Sequence, residues 1–350
     1  MADLDRTMLR GLWYLAATST KVGRGKLCPV TVLCVELILV RLSSGTVLAY
    51  ADCCPHRGMP LRHGSFDGTQ ISCCYHGWRF EASTGTCAAI PALPLTDKTP
   101  PDRFRLRSFL CREVQGNIWV FIPADRTIPA ELPDVPTIPG FEDAKPQVSV
   151  TLRFQSNADI AAISLCDPAH PAFVHTSGWW KSTAALALRP KTKAFEPIRH
   201  GFRMKEHALK EGANPYRLLG TDVRVSISVQ LPGLRIEHIR GSRHAACVLT
   251  AATPVSPTQT DVHCCIYWTM PWLTPLRPIA TWLARDFLRQ DQAVACKLSH
   301  GPDTPSMLFV GDPDRQIAWL LRLKQEFLAS QAEGRMFENP LHDQTLQWRS

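Results

Sequence analysis

No apolar run in the 350 residues reaches the length of a membrane-spanning helix; the best candidate, Cys28 to Leu42, is interrupted by Glu36 and reads as strand. The amino terminus has no extended apolar core of the kind that export signals carry, which points to a cytoplasmic protein. No Gly-x-Gly-x-x-Gly stretch occurs, so the dinucleotide-binding fingerprint is excluded. There is no long Lys/Arg run behind the net charge of +8, which favours a solvated surface over a nucleic-acid partner. An even-numbered disulfide framework is also missing. The chain has 13 cysteines, several as vicinal pairs (Cys53-Cys54, Cys73-Cys74, Cys264-Cys265), and reduced thiols or metal ligation fit that pattern better.

What is present is an ordinary globular composition, with 45% apolar and 20% charged residues and enough chain for two domains. From Trp13 to about Ile122 short apolar runs such as Thr31–Val35, Thr46–Tyr50 and Asn117–Ile122 alternate with glycine turns, which predicts a small antiparallel barrel or sandwich. Phe104 and Leu106 alternate with Arg103, Arg105 and Arg107 as on a half-exposed strand. Inside this region lie Cys54-Pro-His56-Arg57-Gly58 and Cys73-Cys74-Tyr75-His76-Gly77-Trp78. Each loop offers one thiolate and one imidazole, with a glycine that permits a tight backbone. Zinc held by two cysteines and two histidines is one reading of such a set.

Six prolines between Pro123 and Pro146 resist helix and central strand, so residues 123–146 read as an extended linker between a domain over 1–122 and another over 147–350. The second domain opens with strict alternation at Val148, Val150, Leu152 and Phe154, and similar strands follow at Val223–Leu231, Leu234–Ile239, Ala246–Ala252 and Val262–Thr269. Together they predict one large antiparallel sheet. One helix is expected from Ser156 or Asn157 to Asp167, where Pro168 and Pro171 disturb it, with Asp167 and His170 on one face. A second is expected from Pro278 with Ile279, Leu283, Phe287, Val294 and Leu298 as its apolar stripe, and a third over about Pro313 to Ala332. Asp167, His170 and His175 fall within nine residues. Two histidines five apart suit a helix end with satisfied histidines, but two imidazoles and one remote carboxylate are also the facial triad of non-haem ferrous sites, for which Asp291, close to the second helix's stripe, is the better carboxylate than Asp286.

With 16 residues between His56 and Cys73, the two loops resemble the Rieske [2Fe-2S] motif, in which two cysteines hold one iron and two histidines the other. The resemblance makes Cys54, His56, Cys73 and His76 the ligands. Cys74-x-His76 also has the first-loop spacing, but only Cys54 with Cys73 satisfies both loops, leaving Cys53 and Cys74 as packing thiols. Met59 stands where respiratory Rieske proteins carry a disulfide cysteine, so the site is of the oxygenase and ferredoxin type. Trp78 is expected to pack over the cluster.

Extended by Asp167-x-x-His170-x-x-x-x-His175 and by Phe287-Leu-Arg-Gln-Asp291, the pattern resembles the catalytic subunit of Rieske non-haem iron oxygenases. The resemblance implies an α+β chain: an all-β Rieske domain, then a helix-grip, START-like sheet domain. It implies a mononuclear Fe(II) on His170, His175 and Asp291, with dioxygen as co-substrate. Asp167 matches the aspartate that links a Rieske histidine of the neighbouring subunit to an iron ligand, and Asn157 matches an asparagine of the same motif. Ile163-Ser164 departs from the polar pair found in many relatives, which bears on how the iron's surroundings are tuned. The family's head-to-tail ring implies a homotrimer. Electrons then come from a separate NAD(P)H-dependent reductase, directly or through a ferredoxin, and a basic face would steer an acidic donor.

Asp167 is expected to accept a hydrogen bond from the other nitrogen of His170, fixing its tautomer. Trp179, Trp180, Trp268 and Trp272 suit either a roomy apolar pocket or packing contacts, and the substrate class is an apolar ring compound, aromatic or steroid- or terpenoid-like. The competing function is an electron carrier that uses the cluster ligands but not His170, His175 and Asp291. A zinc scaffold would have no reducible cluster at all.

Overall fold

A computed structural model describes residues 8–94, 96–125, 129, 131–178, 188–209, 214–298 and 307–350. The described residues divide into two compact units, meeting in sequence between Thr137 and Ile138.

The first unit is all β apart from single 3-10 turns. Leu12–Thr18, Asn117–Ile122 and Cys111–Val114 form one sheet, Cys28–Val32, Val35–Arg41, Val47–Ala51 and Ser108–Phe109 a second, and Ser65–Phe66, Gln70–Ser72, Arg79–Glu81 and Cys87–Ala89 a third, each in that strand order. The run from Cys28 to Leu42, expected as one strand, is a hairpin. Leu33 and Cys34 occupy its two-residue turn with φ of 51° and 60°, the geometry that matches strand twist across a tight connection. Arg103 closes a 3-10 turn, and the following residues reach only an isolated bridge between Thr86 and Arg105 before the strand Ser108–Phe109. The core of this unit gathers Ile38, Val40, Tyr50, Leu61, Phe66, Ile71, Trp78 and Phe80 directly beneath Cys54 and Cys73.

The proline-rich stretch forms no helix or strand among its described residues, as missing N–H donors dictate. It is nevertheless anchored: Pro133 O accepts from Trp13 Nε1 at 2.7 Å in the first unit, and Ile138 and Phe141 are buried in the second.

The second unit is an eight-stranded antiparallel sheet in the order Val148–Phe154, Gln259–Trp268, Ala245–Ser256, Leu234–Arg240, Arg224–Gln230, Gly201–Ala208, Pro190–Ile198, Gln344–Arg349. One face is gripped by helices. The helix Ala158–Cys166 brings Ala162 against Gly233 and Ala252, the helix Arg277–Ala295 packs on Val148–Phe154, and the C-terminal helix Arg315–Glu333 sets Trp319 edge-on to Phe195 and Phe202 at 5.4 and 5.2 Å. Lys324 of the C-terminal helix pairs with Asp159, tying two of these helices together. No helix among the described residues is long and apolar enough to cross a membrane.

Two helix expectations need correction. The first ends at Cys166, with Asp167 as its C-cap, so Asp167 and His170 do not share a helical face; Pro168 and a separate turn, Pro171–Val174, intervene. The second, Arg277–Ala295, buries Ala284, Leu288, Asp291 and Ala295, whereas Ile279 and Val294 are exposed and Leu298 lies beyond its end. Of the expected stripe Leu283 and Phe287 are half-buried, Phe287 against His175, and the fully buried positions are shared between small residues and Leu288.

Asn157 caps the helix Ala158–Cys166 by accepting from Ile160 N at 2.9 Å. Replacing it with Ala is expected to destabilise the second unit by about 1 kcal/mol, and Asn157→Ser to restore most of the loss. Denaturant titration of the two variants checks this.

Candidate functional site

Two groups of candidate side chains are assembled, one in each unit. In the first, loop one leaves the strand Val47–Ala51 and loop two closes the hairpin in which Ser72 pairs with Arg79. Both fold alike. Cys54 N donates to Met59 O at 2.9 Å and Gly58 N returns to Cys54 O at 2.9 Å; Cys73 N donates to Trp78 O at 2.9 Å and Gly77 N returns to Cys73 O at 3.0 Å. The reversal sits at Gly58 and Gly77, with φ of 74° and 70°, where a side chain is disfavoured.

These matched turns set the four candidate ligands against one another. The His56 and His76 rings meet edge to face, 4.7 Å between centroids. The Cys54 and Cys73 thiols are buried and hydrogen-bonded to each other, and His56 N–H donates to the Cys54 sulfur. Burial pushes the Cys54 thiol up to about 11, and its neighbour Cys73 adds to the rise. Two thiolates side by side in an apolar floor therefore need a cation, and a [2Fe-2S] cluster held by two sulfurs and two imidazoles fits the donor set. Trp78 stacks on His56 at 4.7 Å with an 8° tilt and continues into Phe104 and Phe80. Buried Asp52 pins the first loop by accepting from Arg62 N at 2.7 Å and from the Arg62 guanidinium, which also reaches Glu36 at 2.7 Å. Cys53 and Cys74 are not packing thiols: both are exposed, because each loop turns its vicinal cysteine outward when the next or preceding one turns in.

In the second unit His170, His175 and Asp291 converge, their ligand atoms all within 4.8 Å of one another. Both Nε2 atoms lie 3.3 Å from Asp291 Oδ1. That oxygen is buried and makes no hydrogen bond, and neither does His175 Nδ1. An ionised carboxylate in that state is costly unless a cation supplies the missing partner, so the residues fit a divalent metal.

The chain orients these ligands from behind. His170 Nδ1 lies 2.9 Å from the main-chain carbonyl of Asp167, which leaves Nε2 as the lone-pair donor. The Asp167 carboxylate was the expected partner, but its Oδ2 is 3.9 Å away and Oδ1 accepts instead from Ala169 N at 2.7 Å and His170 N at 3.3 Å. A short Asp side chain satisfies its own turn first. His175 is held by stacking on Phe287, centroids 3.6 Å apart and 16° from parallel. Gln290 accepts from Thr176 N at 2.8 Å and donates to Ser177 Oγ at 2.9 Å, while Ser177 donates to Asp286 at 2.5 Å. Asp286, the weaker ligand candidate, thus grips the histidine loop and is not among the converging atoms. Phe287 and Gln290 were not singled out for this role; their spacing around Asp291 on one helix was the available signal.

Of the four tryptophans, Trp268 is buried in the sheet and Trp272 is exposed, while Trp179 and Trp180 lie outside the described residues.

Comparison with known proteins places these sites in context. Residues 12–100 match the family model of the Rieske [2Fe-2S] domain. The oxidoreductase NdmD of Pseudomonas putida is 37% identical over 107 residues, 31% of this chain and 18% of that protein. The methylxanthine N1-demethylase NdmA of Pseudomonas putida is 27% identical over 180 residues, 49% of this chain and 48% of the relative. The solved structure of NdmA with caffeine superposes with a TM-score of 0.69 at 18% identity, covering 95% of this chain and 93% of that one. The terminal oxygenase of carbazole 1,9a-dioxygenase from Nocardioides aromaticivorans gives 0.68 at 20% identity, covering 92% and 95%. The sequence matches to NdmD and NdmA thus span less than half the length of either relative.

Burial lowers the pKa of His175 to about 4, with His170 contributing and Asp291 opposing. The unfolded imidazole takes its proton near pH 6.5, the folded one only near 4, so stability is full above 6.5 and is lost as pH falls through that window. Metal-free protein is expected to lose roughly 3 kcal/mol from this residue between those pH values. His175→Asn should flatten that part of the pH dependence in chemical denaturation; an unchanged slope contradicts the assignment.

Proposed function

Because this chain carries a Rieske [2Fe-2S] domain and has the fold of Rieske oxygenase terminal subunits, we propose that it is the terminal component of an oxygenase system acting on apolar ring compounds. The observation that carries the reading is the convergence of His170, His175 and Asp291 in a buried setting, because an electron carrier has no use for a second, solitary ligand set. On this reading Cys54, His56, Cys73 and His76 hold the cluster, and His170, His175 and Asp291 hold Fe(II). When bound, the cluster supplies single electrons and the ferrous ion, with coordination positions left open by three protein ligands, supplies dioxygen chemistry.

The chain's own residues supply geometry. The Asp167 carbonyl and Phe287 ring keep both imidazoles aimed at one point, and Gln290, Ser177 and Asp286 prevent the loop after His175 from swinging away. The second unit's helices exclude bulk water from the buried ligands His175 and Asp291. The relatives' names support the substrate class: one is a methylxanthine demethylase and another a carbazole dioxygenase.

With no dinucleotide fingerprint, the electrons come from a separate NAD(P)H-dependent reductase, directly or through a ferredoxin. The working assembly is a homotrimer closed head to tail, in which Asp167 of one copy faces a Rieske histidine of the next. None of the 13 cysteines, all of them among the described residues, is in a disulfide, which fits the proposed cytoplasmic setting.

Anaerobically purified protein is expected to carry three iron atoms per chain, and Asp291→Ala two, with the visible spectrum of the reducible cluster unchanged. Two iron atoms in the wild type support the electron carrier instead. Asp167→Asn retains the Oδ1 acceptor for Ala169 and His170, so metal content should persist while oxidation of the pre-reduced cluster on mixing with substrate and dioxygen slows by about 10- to 100-fold. Normal single-turnover kinetics in a metal-replete variant would exclude the coupling role.

A further inference from the structure

The helix-gripped face of the large sheet is not uniformly packed. In register across four strands, Ile227 faces Glu237, Glu237 faces Val248 and Val248 faces Ile266, while Arg235 lies one step along, opposite Thr250, which in turn faces Cys264. Directly opposite residues of an antiparallel pair point to the same side. Ile227, Arg235, Glu237, Val248, Cys264 and Ile266 are all only half-buried. The residues behind them, Cys247, Leu249, Cys265 and Tyr267, are completely buried. Among the described residues the middle of the gripped face is therefore less closely covered than its margins at Val150, Val262 and Phe202.

The helix that carries Asp291 packs on the strand Val148–Phe154, whose Val150 pairs with Cys264 of this floor. Burial holds the Cys264 thiol up to about 12, with Arg235 opposing the rise and Asp291 and Glu237 adding to it. Burial likewise holds the Cys166 thiol up to about 12, with Asp167 and Arg235 acting on it from opposite directions. Arg235 thus acts on two thiols, one of which also feels Asp291, the carboxylate of the candidate iron site, and the other Asp167.

Arg235 and Glu237 form an ion pair at 2.8 Å, with 23% and 18% of their side chains accessible. Charged residues on an otherwise apolar floor are costly, and replacing such a pair with hydrocarbon is often neutral or stabilising, so packing alone gives no reason for it. A guanidinium held against a carboxylate offers spare N–H donors beside a spare oxygen acceptor, and the pair is neutral overall.

We propose that the Arg235–Glu237 pair is the polar anchor of the substrate pocket and selects a neutral ring compound whose edge both accepts and donates a hydrogen bond, a hydroxyl or a lactam, over bare hydrocarbons and carboxylates. This rests on the oxygenase reading and refines it: the flat apolar body lies on Ile227, Val248 and Ile266, and the edge group sits between guanidinium and carboxylate. A carboxylate would meet Arg235 but oppose Glu237, and a hydrocarbon would desolvate the pair without meeting its spare N–H donors and oxygen acceptor.

The test measures equilibrium binding of naphthalene, 2-naphthol and 2-naphthoate to the iron-loaded full chain by calorimetry, without turnover. The wild type is expected to bind 2-naphthol at least tenfold tighter than either of the others. Arg235→Met should remove that preference, and Glu237→Gln should shift it toward 2-naphthoate, with iron content unchanged in both. Failure of the wild type to discriminate, or a preference untouched by Arg235→Met, overturns the proposal. Because binding is read directly, that result is separable from a failure of the oxygenase reading, which would appear as two iron atoms per chain.

Discussion

The second unit is built around one electrostatic constraint: three electron-pair donors are brought within 4.8 Å, and one of them, the Asp291 carboxylate, is buried without a hydrogen bond. Unmetallated, that arrangement is repulsive and desolvated, so the fold must hold it together by force from outside. A single helix does most of this. Asp291 supplies the carboxylate, Phe287 one turn earlier supplies the flat surface for His175, and Asp286 and Gln290 on the adjoining positions grip Thr176 and Ser177. Wherever Arg277–Ala295 sits against the sheet, the ligand and the restraint on its partner move together.

The thiol and imidazole loops of the first unit solve a different problem. Their ligands are close in sequence, and each loop carries its own hydrogen-bonded reversal with a glycine at positive φ, so geometry is set locally and the sheets need only bring two matching loops together. Asp52, Arg62 and Glu36 then lock the first loop to its neighbouring strand. The two centres thus differ in kind: one is a pair of rigid local turns, the other depends on long-range packing between a helix and a loop more than a hundred positions apart.

That difference explains what could be read in the residues alone. Cys54, His56, Cys73 and His76 could be picked out as one candidate group, and the structure brings them together, because spacing and glycine placement are local signals. His170 and His175 were legible as a cluster, and Asp291 because a carboxylate near an apolar stripe stands out. The stripe was misread at its ends, since Ile279 and Val294 are exposed, while Phe287 faces His175 and Ala284, Leu288 and Ala295 are buried. The hairpin at Leu33 and Cys34 carried no Asn-Gly or Gly signal, and the strands Pro190–Ile198 and Gly201–Ala208 were hidden by prolines and lysines. The hydrogen bond from His170 to a backbone carbonyl is invisible to any reading of side-chain types. Arg235 and Glu237, alternating with Leu234 and Ile236, lie on the side of the sheet that the helices cover.

One sheet therefore carries both the half-buried row that includes Arg235 and Glu237 and, through the helices laid on it, the restraints on His170, His175 and Asp291. The most direct test is anomalous scattering at the iron edge from anaerobically grown crystals. The account predicts two resolved features per chain: a close iron pair between residues 54, 56, 73 and 76, and a solitary peak within bonding distance of His170 Nε2, His175 Nε2 and an Asp291 oxygen. A close pair with no density between residues 170, 175 and 291 in fully assembled protein would contradict it.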